Sequence, residues 1–273
     1  MSISIVNAAE LWQRDTSLPA IPTFSQSLDK VFGDDGVQLC SLTELLGLPG
    51  TGKTQISMQL CAAVQIPKVL GGLDAEALYI DTNTNFTPER FRDILIGSLE
   101  KCNRLLDSPT EINEEAALNK LHYVNAFGLE KYCAFMLRLP NLIEKLQIRL
   151  IVIDSIAFPF KEGITPSQRT GLLFRQMAEL QRLAVEKQIA VVVTNEMTTR
   201  VGLSGGDIVG SLGDAWAHRC NKRVLLSKHD DDADPSVRAA VCLKSNDSPN
   251  NVARFRVSML CYSGRNIKRY LFS

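Results

Sequence analysis

Short runs of apolar residues alternate along the chain with longer stretches in which apolar residues recur every three or four positions. The runs read as strands covered on both faces, and the stretches as amphipathic helices. Leu39 to Leu46 is the first such strand and ends at Gly47. Thr51 to Gln65 follows, with Ile56, Leu60, Ala63 and Val64 at helical spacing, and Ala77 to Asp81 is a second buried strand. Thr87-Pro88-Glu89 opens another helix with a hydroxyl at the cap, proline in the first turn and an acid near the positive end. Phe91, Ile94, Leu95 and Leu99 are its stripe. The stretch from about 129 to 147 is helical, and Leu150 to Ile153 is a strand ending at Asp154. Thr165-Pro166 starts a long helix with Leu172, Leu173, Met177, Leu180 and Leu183 along one side, and Ile189 to Thr194 is a further strand. Beyond about residue 222 the helical spacing stops. RVLLS, RAAVCLKS and ARFRVSML alternate and predict closing strands that are partly antiparallel. Residues 1–35, punctuated by Pro19, Pro22 and the Gly33–Gly36 segment, read as a lead-in or linker, and 36–273 as a single core.

Strands alternating with helices predict an α/β fold with a mostly parallel central sheet and helices on both faces. Ligands in such folds sit beyond the carboxyl ends of the strands. Gly47, Asp81, Asp154 and the Thr194-Asn195-Glu196 segment all fall there.

Composition narrows the picture only slightly. The 273 residues are 45% hydrophobic and 22% charged, with 30 basic against 30 acidic side chains, so bulk attraction for a polyanion is not expected. The seven cysteines are scattered singly, without C-x-x-C pairing, which fits small core thiols in a reducing compartment rather than a metal site. No apolar run is long enough for a membrane span, and the first residues lack the layout of a secretion signal.

Gly47-Leu48-Pro49-Gly50-Thr51-Gly52-Lys53-Thr54 fits G-x-x-x-x-G-K-[ST] and stands between a strand and a helix, as a phosphate-binding loop must. Its backbone N–H groups and the start of the next helix would receive phosphate oxygens. Lys53 would reach the β- and γ-phosphates, and Thr54 and Asp154 would hold Mg²⁺. ATP with Mg²⁺ is the expected cofactor. An unrelated P-loop small-molecule kinase is the remote alternative, but the arginine-rich lid such an enzyme needs is not evident.

LTELLGLPGTGKTQ, QLCAAVQIP, ALYIDTNTNFTPERF, LIVIDSIAFPF and IAVVVTNEMTT together resemble the ATPase core of the eukaryotic RecA-like DNA recombinases over about residues 20 to 262. QLCAAVQIP, Gly71-Gly72 and SIAFPFK look most like the C-type recombinase paralogue. The resemblance implies a RecA-like P-loop NTPase core binding ATP at protomer interfaces, and a nuclear role in homologous recombination during double-strand-break repair and meiosis. It implies other paralogues and the main recombinase as partners, with single-stranded or branched DNA. Full-length relatives carry a small N-terminal helical domain, and this chain is expected to start after it.

Two departures from that pattern bear on chemistry. Asn83 stands where the family usually has the acid that activates the attacking water, and Asn cannot accept a proton. Glu196 stands where the family usually has the Gln that senses the γ-phosphate. Either hydrolysis is weakened or lost and ATP is a structural ligand, or acid and amide have exchanged sites and Glu196 supplies the carboxylate. The first is preferred, because a carboxylate facing a γ-phosphate is repelled unless Mg²⁺ or a lysine intervenes. By position, the family's DNA-facing loops fall at about Phe160 to Arg169 and Thr198 to Gly210, which nominates Lys161, Arg169 and Arg200. Asp247-Ser248-Pro249 resembles the segment that caps a neighbouring protomer's ATP, and Trp216 and His218 are expected in packing roles.

Overall fold

The structure, a computed structural model, describes residues 5–33, 35–104, 113–202, 205–228, 234–246, 249 and 251–257, and at 14–15, 199–202 and 205–208 the backbone alone. Helix α1 (Ala8–Thr16), strand β1 (Ala20–Ile21), helix α2 (Gln26–Phe32) and strand β2 (Val37–Gln38) precede the phosphate-loop strand β3 (Leu42–Gly47) and its helix α3 (Lys53–Ala63). Strand β4 (Glu76–Asp81), helices α4 (Pro88–Asn103) and α5 (Glu114–Leu118), strand β5 (Leu121–Asn125) and helix α6 (Leu129–Ile143) follow. Strand β6 (Ile148–Asp154), helix α7 (Pro166–Lys187) and strand β7 (Ala190–Asn195) complete the parallel part. A hairpin of β8 (Met197–Gly202) and β9 (Gly205–Gly210), the short helix α8 (Asp214–Ala217), and strands β10 (Lys222–Ser227), β11 (Val237–Lys244) and β12 (Val252–Arg256) end the described chain.

The main sheet has eight strands in the order β12-β11-β10-β3-β7-β6-β4-β5. From β10 to β5 every neighbouring pair is parallel, and β11 and β12 add to β10 antiparallel, as the alternating segments predict. Successive side chains of a strand point to opposite faces. Leu150 and Val152 of β6 therefore join α2, α3 and α4 in one core, while Ile151 and Ile153 join α6, α7 and Trp216 in the other.

Three local features differ from the sequence reading. The lead-in is not loose: Leu28, Val31 and Phe32 of α2 have no exposed surface and pack in the core under β11 and β12. The buried Lys222 ammonium donates to the Phe32 carbonyl at 2.6 Å, a cation at the negative end of α2. Thr87 starts α4 without a side-chain cap, whereas Thr165 and Gln168 form a full capping box on α7. The segment expected as a loop at Thr198 to Gly210 is instead a two-stranded hairpin, with Met197 opposite Gly210 and Gly202 opposite Gly205.

Candidate nucleotide site

The site lies at the carboxyl edge of β3, β4, β6 and β7, where Asp81 stands opposite Asp154 and Leu46 opposite Asn195 in the strand register. All six residues of β3 are buried, so the strand delivers Gly47 from a fixed base. Gly47 has φ 155°, and a β-carbon there would stand 2.5 Å from Thr51 Oγ1 and 2.6 Å from the Leu226 carbonyl. Any side chain would force the loop off the end of β10. Gly50 has open space around it but a φ of 80°, which L side chains rarely adopt. The loop closes on itself through Thr51 Oγ1, which donates to the Leu48 carbonyl at 2.8 Å. Helix α3 starts at Lys53, and every residue from Ile56 to Ala63 is buried between sheet and α4.

Lys53 folds back over the loop and donates to the carbonyls of Gly47 at 2.6 Å and Leu48 at 3.1 Å. Burial lowers its pKa, and the carboxylates of Asp154 and Glu196 oppose that shift. Thr54 Oγ1 donates to Asp154 Oδ2 at 2.7 Å. The same carboxylate accepts the Tyr79 hydroxyl at 2.7 Å and, on Oδ1, the Thr194 hydroxyl at 2.5 Å. Burial, and then Asp154, raise the Tyr79 pKa well above its ordinary value, so Tyr79 stays a donor. Asp154 is thus aimed by hydroxyls from α3, β4 and β7. A hydroxyl and a carboxylate side by side at the start of a phosphate-loop helix are a donor set suited to a hard divalent cation.

Asp81 organises the next turn rather than facing a ligand. Its carboxylate accepts the backbone N–H groups of Asn83 at 3.1 Å, Asn85 at 3.3 Å and Phe86 at 3.0 Å, and the Tyr123 hydroxyl at 3.2 Å. Asn83 is carried on that turn, and its side-chain oxygen is buried without a hydrogen-bond partner. Glu196 pairs with Lys161, the two charges 2.6 Å apart. The Lys161 ammonium also lies 5.0 Å from the centre of the Phe158 ring.

The other nominated residues are placed as follows. Arg169 donates to the Ser211 carbonyl at 2.7 Å and so braces α7 against the segment after the hairpin. The side chain of Arg200 lies outside the described residues, as do Asp247 and Ser248, while Pro249 is exposed. Trp216 is 5% exposed and donates to Glu44, consistent with the packing role expected for it. Tyr79 and Glu44 escaped the sequence reading, which placed Thr194 at a strand end but gave it no contact with Asp154. A tyrosine and a glutamate inside runs covered on both faces are nonetheless a signal, because such polar groups must find partners.

Comparison with known proteins agrees with this architecture. A profile of the family described as Rad51 matches residues 13–259. The chain is 31% identical over 230 residues to the DNA repair protein RAD51 homolog 3 of Cricetulus griseus, covering 80% of this chain and 63% of that protein. It is 32% identical over 217 residues to the protein of the same name from Dictyostelium discoideum, covering 76% and 56%. The DNA repair and recombination protein RadA of Aeropyrum pernix is 29% identical over 235 residues, covering 84% and 69%. The chain therefore spans less than two thirds of the length of the two RAD51 homolog 3 proteins.

Proposed function

The chain belongs to the Rad51 family, and from that premise we propose that it is an ATP-binding recombinase paralogue. In this reading it acts in homologous recombination, in double-strand-break repair and meiosis, as a nuclear subunit of a heteromeric complex that assists the main strand-exchange recombinase. The relatives named as DNA repair proteins support the process.

The observation that carries the nucleotide part is the pairing of Thr54 with Asp154 directly beside a loop whose Gly47 admits no side chain. Gly47 to Thr54 would cradle the triphosphate, Lys53 would neutralise it, and Thr54 and Asp154 would hold Mg²⁺. When bound, Mg²⁺-ATP would supply a phosphoryl group that water can accept. Around it the residues favour holding over cleaving. Asn83 offers an amide where a proton acceptor is needed, and Glu196 is held by Lys161. Turnover is accordingly weak. A non-hydrolysing scaffold that uses ATP to fix its shape is the second reading, favoured by Asn83 alone. Lys161, once released from Glu196, would be available to meet DNA.

The test is ATP binding and hydrolysis, with and without single-stranded DNA, on the chain purified with its partners. Magnesium-dependent binding that Lys53→Ala abolishes, with slow turnover, is expected. Equal nucleotide binding by wild type and Lys53→Ala would remove the proposal.

A further inference from the structure

Glu44 is a charged residue in the middle of the sheet with no exposed surface. Both of its carboxylate oxygens face donors. Oε1 accepts from Asn195 Nδ2 at 2.7 Å and from Trp216 Nε1 at 2.8 Å. Oε2 accepts from Arg223 Nε at 2.5 Å, and the Cys220 thiol lies 4.0 Å away. Arg223 stands directly opposite Glu44 in the β3–β10 register, so the ion pair is built into the sheet. These donors come from β7, α8 and β10.

A carboxylate only accepts, and that fixes the Asn195 amide. Its NH₂ must face Glu44, so its oxygen must face the other way. There Asn195 Oδ1 accepts the Glu196 N–H at 2.8 Å and the Ser211 hydroxyl at 2.7 Å. Glu196 and Ser211 are the residues that flank the β8–β9 hairpin, and the Ser211 N–H donates to the Glu196 carbonyl at 2.9 Å. Arg169 then holds the Ser211 carbonyl from α7. Gly210 packs into the same place, where a β-carbon would stand 3.0 Å from Leu46 and 3.3 Å from Arg223. A chain of hydrogen bonds thus runs from the buried pair at the sheet centre to the root of the hairpin.

We propose that Glu44 is a positioning residue whose buried carboxylate sets the orientation of the Asn195 amide and thereby locks the hairpin root to the carboxyl edge of the sheet. Glu196, Ser211 and the root of the hairpin then move as one body with the end of β7.

The experiment is residue-resolved amide hydrogen exchange on the full chain in complex with its partners. Glu44→Gln places an NH₂ against one of the two donor sets. Asn195→Ala cuts the chain of bonds while leaving Glu44 with Arg223 and Trp216, and serves if Glu44→Gln does not fold. In the unliganded protein, exchange at the Glu196 and Ser211 amides rises at least tenfold in either variant, while exchange in β6 stays as in wild type. A merely structural role would raise exchange across the sheet together. Exchange at both amides within twofold of wild type, in folded variants, overturns the lock.

Discussion

Asp154 is the residue on which the nucleotide edge turns, because three hydroxyls converge on one carboxylate. Asn at this position must point its NH₂ at one or more of those donors, and leaving a buried donor unmatched costs about 1–3 kcal/mol. Asp154→Asn is expected to lower the melting temperature accordingly and to reduce magnesium-dependent nucleotide affinity at least tenfold. Calorimetry and nucleotide titrations with and without magnesium check the two effects. Asn83 makes the opposite kind of prediction. Its buried side-chain oxygen has no partner, and the turn that carries it is fixed by Asp81 rather than by Asn83 itself. Asn83→Glu supplies a proton acceptor without disturbing that turn. General-base assistance is worth roughly 10²–10⁴-fold, so phosphate release should rise by at least tenfold. No rise would count against Asn83 as the reason for slow turnover.

Elements differ in how far the chain announces them. β6 and β7 were legible because a strand buried on both faces must be a nearly unbroken apolar run, and LIVID and IAVVVT are such runs. β5 was not, because it is the edge strand and Tyr123 and Asn125 on it are exposed, leaving no run to see. The β8–β9 hairpin was hidden by its glycines, which signal turns more strongly than strands. In α2 the prolines and glycines on either side outweighed a short stripe of Leu28, Val31 and Phe32. Of the site, the loop and Asp154 could be read from the order of motifs. The contacts of Glu44 with Asn195 and Trp216 join residues 151 and 172 positions apart in the chain, and no local pattern encodes that. If α2 is part of the core, Phe32→Ala should destabilise the protein by about 3–5 kcal/mol. Loss of less than about 1 kcal/mol in a denaturant titration would return residues 26–32 to the status of a linker.

At the scale of the whole molecule, a formal net charge of zero means that any affinity for DNA must come from local cations. Each phosphate contact contributes to the salt dependence of binding, so Lys161→Ala should reduce the slope of log affinity against log salt by about 1. Glu196→Gln should raise affinity at low salt, because it frees the Lys161 ammonium from its partner. Binding curves to single-stranded DNA at several salt concentrations measure both. The two faces of the sheet carry separate cores, with Phe32 in one and Met177 in the other. Among the described residues, the two cores lie on opposite sides of the layer of strands. Damage on opposite sides should therefore be nearly independent, and the double variant Phe32→Ala with Met177→Ala should lose the sum of the single losses to within about 0.5 kcal/mol. A chain built this way can accumulate substitutions on its outer helices while the strand that carries Asp154 and the loop that leads into Lys53 are left undisturbed. The carboxyl edge of the sheet can in that way be kept while the outward faces diverge.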